Sequence, residues 1–147
     1  KDILDINLLL EEVTNHFLPI LKEKKIQADF HIMDDEVYIN GDYHRLSQVI
    51  VNLLKNSVEA MEDGGTLSVS SKVTKDHRVE IQVKDQGCGI SEENLKRMTE
   101  PFFTTKRKGT GLGVSLSNEI ILAHEGTMKY QSIEGKGTTV TILLHQM

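Results

Sequence analysis

Asp85-Gln86-Gly87-Cys88-Gly89-Ile90 sets one carboxylate and two glycines in a sharp turn directly after a run of alternating apolar residues. An ionised carboxylate only accepts hydrogen bonds, so it suits the exocyclic amine of a base, and glycine lets backbone come close where a side chain would block it. The same pattern also describes an ordinary strand ending in a glycine turn, so its surroundings must decide between the two.

Immediately upstream, Thr66 to Lys72 and Arg78 to Lys84 alternate apolar and polar residues, with Asp76-His77 between them, which predicts a hairpin delivering Asp85 at its end. Before that hairpin, Asp42 opens the longest helical segment, running to about Glu62 and stopped by Asp63-Gly64-Gly65. Leu46, Val49, Ile50, Leu53, Leu54, Ser57, Val58 and Met61 share its buried arc. Arg45, Gln48, Asn52, Lys55, Asn56 and Glu59 fall opposite. Every surface helix has a polar arc, yet two Asn four apart are poor helix formers where Glu or Lys would serve a plain solvated face.

The N-terminal third reads as a helix from about Asn7 to Lys25, capped by Asn7, with a stripe of Leu8, Leu9, Val13, Phe17, Ile20 and Leu21 and a bend at Pro19. His16 beside the stripe reads as structural. Ile26 to Ile32 and Val37 to Ile39 are expected to form a first hairpin around Met33-Asp34-Asp35-Glu36.

Downstream of the opening turn, Ser91-Glu92-Glu93 starts a short helix to about Met98. From Thr99 to Gly113 no periodicity survives, and Pro101 with three glycines predicts a long mobile loop of the functional-lid kind. Gly109-Thr110-Gly111-Leu112-Gly113 then leads into a helix from Val114 to His124, with Gly126 as its stop. Amides at a helix start, unobstructed by side chains, make an anion site, and Lys106-Arg107-Lys108 adds charge beside it. A plain flexible loop fits the glycines equally until they are joined to the rest. Thr127 to Ile133 and Thr138 to Leu144 are the last two strands, around Gly135-Lys136-Gly137.

Composition bounds the options. At 147 residues the chain suits one domain, residues 1–147, and no apolar run approaches the ~18 residues of a membrane span. A formal net charge of −5 argues against general nucleic-acid binding, which needs Lys and Arg for the phosphates. The single cysteine, Cys88, excludes an internal disulfide, fits a reducing compartment and reads as a small filler. The histidines lack zinc-ligand spacing. The first residues, Lys1-Asp2-Ile3-Leu4-Asp5, lack the basic start, apolar stretch and small-residue cleavage site of a secretory signal, and a start without Met reads as a fragment.

Asn52-Leu53-Leu54-Lys55-Asn56, Asp85-x-Gly87-x-Gly89, Pro101-Phe102-Phe103-Thr104-Thr105-Lys106 and Gly109-x-Gly111-x-Gly113 occur in that order. The ordered set resembles the N, G1, F and G2 boxes of the catalytic and ATP-binding domain of bacterial sensor histidine kinases. These belong to the GHKL superfamily, with gyrase, chaperones of the ninety-kilodalton heat-shock class and mismatch-repair ATPases. The resemblance covers nearly the whole chain, including Gly135-x-Gly137-Thr138, and the Phe-Phe-Thr-Thr-Lys version is most similar to the nitrogen-regulatory and sporulation-type kinases.

The resemblance implies an α/β (α+β) fold: a two-layer sandwich of a mixed, largely antiparallel sheet and a helical layer. It implies ATP and Mg²⁺ as cofactors, with Asn56 the metal ligand through its side-chain oxygen. Asn52 faces the same site, and Lys55 and Lys106 lie near the phosphates, so Asn52, Lys55, Asn56 and Lys106 form the catalytic set. Asp85 accepts from the adenine amine, Gly87, Gly89 and Ile90 bring backbone to the nucleotide, and Thr138 helps hold the base. Thr105, Lys106, Gly109, Thr110, Gly111, Leu112 and Gly113 close on the phosphates.

Gyrase-type ATPases carry a water-activating Glu where this chain has Asn52. Asn cannot act as a general base, so slow hydrolysis and transfer to a protein His are expected instead. That His belongs to a preceding dimerisation and phosphoacceptor domain. His124-Glu125 only imitates its His-Glu box, because it ends the helix after the G2 glycines and runs into Gly126. The implied partners are that domain and a response regulator, in a homodimeric parent, with no nucleic acid and no direct membrane contact by this domain. The implied location is cytoplasmic, with a membrane anchor allowed elsewhere in the parent. Two other readings stay open: a GHKL serine kinase acting as an anti-sigma factor, and a degenerate scaffold without turnover.

Overall fold

A computed structural model of the chain describes residues 2–62, 64–97 and 113–147. The first strand, β1 (Asp2–Asp5), runs straight into helix α1 (Ile6–Glu23). The Asp5 carboxylate caps this helix, accepting from Asn7 N at 3.0 Å and Leu8 N at 3.3 Å. The expected cap, Asn7, is instead buried one position inside the helix. There its amide donates to Asp35 O at 2.7 Å and its Oδ1 accepts from the Ser71 hydroxyl at 2.8 Å. The Ser71 hydroxyl in turn accepts Met33 N at 3.0 Å, so the 33–35 turn is latched to the helix start.

The buried stripe of α1 is Ile6, Leu9, Leu10, Val13, Phe17 and Leu21; Leu8 and Ile20 are exposed, contrary to the expected stripe. Pro19 does not interrupt the helix. It lies on the exposed side with Asn15, whose carbonyl loses its helical partner where water can replace it.

The expected first hairpin does not form. β2 (Ile26–His31) and β3 (Tyr38–Gly41) pair with different partners. β2 runs parallel to β4 (Gly65–Val73), and β3 pairs antiparallel with β1, from Asp2↔Gly41 to Asp5↔Tyr38. Short alternating runs show that a segment is a strand but not which strand it meets. The four residues of β1 are too few to reveal their own alternation.

Asp42 caps α2 (Tyr43–Ala60), accepting Arg45 N at 3.1 Å, and all eight residues assigned to its buried arc are buried. The second hairpin forms as expected: β4 pairs antiparallel with β5 (Arg78–Asp85). α3 (Glu92–Arg97) starts at Ser91, whose hydroxyl accepts Asn94 N at 3.2 Å. α4 (Gly113–Ala123) ends with Glu125, rather than Gly126, in the left-handed region at φ 59. Glu125 N donates to Leu122 O and Gly126 N to Ile121 O, both at 2.9 Å, closing the last turn. β6 (Thr127–Ile133) and β7 (Gly137–His145) complete the chain.

The main sheet has the order β2-β4-β5-β7-β6, antiparallel except for β2-β4. One face carries Leu67, Val69, Val79, Ile81, Val83, Val140, Ile142 and Leu144 into a single core with α1, α2 and α4. α2 packs between α1 and α4. This is the two-layer mixed sandwich expected from sequence. Among the described residues no helix is long and apolar enough to cross a membrane.

Candidate functional site

The helix-facing side of the sheet is built in cross-strand rows. Val79 lies opposite Leu144; Ile81, Ile142 and Met128 form the next row, then Val83, Val140 and Tyr130. The following row breaks the pattern. Asp85 lies opposite Thr138, and Thr138 opposite Ser132. Three adjacent strands thus end in a polar row where each previous row was apolar, and directly opposed side chains on one face are neighbours.

Asp85 is 7% exposed. Its Oδ1 accepts from Gly87 N at 2.9 Å and Thr138 N at 3.3 Å. Burial raises its carboxyl above the ordinary range, and hydrogen bonds from Gly87 N, the Ser57 hydroxyl and Thr138 N oppose that rise. A carboxylate has about four acceptor positions, so these donors orient it and leave capacity for a ligand.

The turn after Asp85 is stitched to two other elements. Cys88 N donates to Ala60 O at 3.1 Å, at the end of α2, and Gly135 N donates to Cys88 O at 2.7 Å, from the β6–β7 turn. Ile90 N donates to the Ser132 hydroxyl at 2.8 Å. The glycines answer first to this packing: a Cβ on Gly87 would lie 2.7 Å from Ala60 O. One on Gly89, at φ 72, would lie 2.2 Å from Ile133 O. Cys88 is exposed, so its thiol is not a core filler; its backbone makes the contacts.

α2 closes over the polar row. Ser57 reaches Asp85, the next residue back is Asn56, and Asn52 is one turn earlier. Both Asn are half-buried, whereas Lys55 between them is exposed. α4 begins at Gly113 and packs against α2. Asp85, Gly87, Gly89, Ile90 and Thr138 are therefore gathered by direct hydrogen bonds and strand pairing, with Asn52 and Asn56 on the helix that touches them. Thr105, Lys106, Gly109, Thr110, Gly111 and Leu112 lie outside the described residues.

Sequence reasoning passed over two participants. Periodicity puts Ser57 on the buried arc as core, and Ser132 carries no motif of its own. The available signal was a hydroxyl at a position where the period demands an apolar residue: Ser132 follows Met128 and Tyr130 on the inward side of β6.

His124 is buried, with Nδ1 2.7 Å from Ile120 O and Nε2 accepting Asp42 N at 3.0 Å. His31 pairs on the surface with Asp29.

Residues 41–146 match the family described as histidine kinase-, DNA gyrase B- and HSP90-like ATPase. Among relatives, sporulation kinase A of Bacillus subtilis (strain 168) is 50% identical over 109 residues, 74% of this chain and 18% of the relative. Sporulation kinase E of the same organism is 44% identical over 119 residues, 81% of this chain and 16% of the relative. Sporulation kinase C is 40% identical over 141 residues, 95% and 32% respectively. The chain thus spans at most about a third of these relatives. The nucleotide-free catalytic domain of histidine kinase ThkA superposes with a TM-score of 0.87 at 29% identity, covering 98% of this chain and 94% of that one. Full-length ShkA in complex with AMPPNP gives 0.85 at 26% identity, covering 97% and 30%. With the polar row, the helix above it and these matches in agreement, the chain belongs to the histidine kinase-, gyrase B- and HSP90-like ATPase family, in the form found in sensor histidine kinase catalytic domains.

Proposed function

We propose that residues 1–147 form one catalytic unit that binds MgATP and delivers its γ-phosphoryl group to a His on a separate dimerisation domain. The observation that carries this reading is the polar row of Asp85, Thr138 and Ser132, closed by Ser57 at the edge of an otherwise apolar layer. Such a row suits a flat ligand that is apolar on its faces and polar at one edge, as adenine is. That the structurally similar full-length ShkA is seen in complex with AMPPNP supports a nucleotide as the ligand.

MgATP supplies the phosphoryl group and the cation's charge; the chain supplies binding and orientation, which dominate phosphoryl transfer. Asp85 accepts from the base amine, Thr138 flanks it, and the 87–90 backbone forms the wall beside it. The Asn56 amide oxygen is the hard donor for Mg²⁺, an ion that keeps waters and leans on phosphates and so needs few protein ligands. Asn52 offers hydrogen bonds but no base, which disfavours attack by water. Lys55 and Lys106 contribute positive charge to the phosphates, and the amides from Gly109 to Gly113 receive their oxygens.

The acceptor His, the response regulator that takes the phosphoryl group onward and a homodimeric arrangement belong to the parent protein, working in the cytoplasm. Calorimetric titration with MgADP tests the reading. Binding that is abolished or cut at least about a hundredfold in Asp85→Asn is expected, on the scale of a lost charged hydrogen bond with an unpaired group left behind. Undiminished binding by that variant overturns the site.

A further inference from the structure

The Ser132 hydroxyl is the centre of three hydrogen bonds. It lies 2.8 Å from Ile90 N, 2.9 Å from Gly137 O and 2.8 Å from Thr138 Oγ1. The direction of each bond follows from what its partner can do. An amide N–H only donates, so Ser132 Oγ accepts from Ile90. A carbonyl only accepts, so the single Ser132 proton goes to Gly137 O. The third bond must therefore run from Thr138 to Ser132, with the Thr138 proton as donor. Ser132 is then saturated, with two bonds accepted and one donated.

The consequence falls on Thr138. Its proton is committed to Ser132, so what it has left for any ligand is lone pairs. Asp85, opposite Thr138 in the β5–β7 register, is also an acceptor while ionised. Two side chains on one row of the sheet thus present acceptors alone. At position 6 itself, a purine with an amine meets them with N–H donors, whereas a 6-keto purine presents an acceptor there and carries its donor one position along, at N1.

We propose that Ser132 is a specificity-determining residue: by holding the Thr138 proton it fixes the pocket edge as acceptor-only and so sets the preference for 6-amino over 6-keto purine nucleotides. Ser132 acts through Thr138 rather than by touching the base, and its bond to Ile90 N ties the same hydroxyl to the turn beside Asp85. The inference rests on the nucleotide reading above, and extends it to a residue in β6 outside the four sequence boxes.

The test compares MgADP and MgIDP binding by calorimetry in the wild type, Ser132→Ala, Ser132→Cys and Ser132→Thr, with unfolding midpoints measured alongside. In the Ala variant the Thr138 hydroxyl is free to turn and donate to a 6-keto oxygen. The ADP-over-IDP preference is expected to narrow by about tenfold, the scale of one hydrogen bond. The Cys variant keeps the shape with a much weaker hydrogen-bonding group and narrows it likewise, which covers an Ala variant that does not fold. The Thr variant keeps the hydroxyl and retains the preference. ADP and IDP weakened equally by Ala and Cys, with the ratio unchanged, would make Ser132 a prop for the turn and overturn the assignment alone. A wild type that binds neither nucleotide overturns the nucleotide reading itself.

Discussion

The imidazole of His124 accepts the backbone N–H of Asp42 at 3.0 Å, fastening the end of α4 to the residue that caps α2. Its other nitrogen is 2.7 Å from Ile120 O, and because a carbonyl cannot donate, Nδ1 carries the proton and Nε2 the lone pair. Gly41 leaves the ring its room: a Cβ there would come within 3.0 Å of it. His124→Ala therefore opens a cavity and leaves a half-buried N–H without its partner, and should cost about 2–4 kcal/mol in urea unfolding.

Because both His124 nitrogens are engaged, the residue has none to offer a phosphoryl group. Incubated alone with radiolabelled MgATP, the chain should acquire no acid-labile label. Adding a separate helical domain bearing a His-Glu box should move label onto that domain. Label on this chain that disappears in His124→Gln would reverse the conclusion.

Asp85 couples binding to stability with opposite signs. Burial holds its carboxyl above the ordinary value of 3.8, so the folded chain keeps that proton to higher pH than the unfolded chain does. The associated stability is complete below the ordinary value and is lost as pH rises through the raised one. Asp85→Asn removes the ionisation while its side-chain oxygen still accepts from Gly87 and Thr138. Its stability relative to wild type should therefore grow with pH across that window and then level off, although the variant binds nucleotide poorly. A pH-independent difference in denaturation midpoints would count against a raised carboxyl.

Gly89 is a stability residue before it is a binding residue. At φ 72, with Ile133 O 2.2 Å from where a Cβ would stand, Gly89→Ala must displace the β6–β7 turn. A loss of more than about 2 kcal/mol is expected from strain and displacement together, with nucleotide affinity falling as the turn moves. A stability equal to wild type in chemical denaturation would refute this packing role.

Asn52 should make hydrolysis slow rather than fast. Steady-state phosphate release by the wild type ought to be weak, and Asn52→Ala no quicker. Brisk release by both would show that water is activated by another group.

The periodic parts of the fold were open to reading, because α2, the β4–β5 hairpin and the last two strands each repeat their period long enough to register. Pairing was not. Nothing local to β2 says that it lies beside β4, and β1 is too short to announce itself. At the site, Asp85, Asn52 and Asn56 stood out as polar residues in unfavourable or strategic places. Ser57 and Ser132 did not, because a small hydroxyl inside a periodic run looks like a tolerated exception until its partners are known. Glycines in such a turn signal close approach, but the first backbones that Gly87 and Gly89 admit are those of Ala60 and Ile133.

The parallel pairing of β2 with β4 imposes an order of events on the folding chain. The β4–β5 and β6–β7 hairpins close across turns of a few residues, an early and inexpensive step. β2 reaches its place only after some forty residues, α2 among them, have crossed the layer, so its register Ile26↔Gly65 to His31↔Ser70 is a late, non-local contact. During synthesis the first third of the chain waits for the second, and β2 is the strand whose amides should be the last to gain protection from exchange.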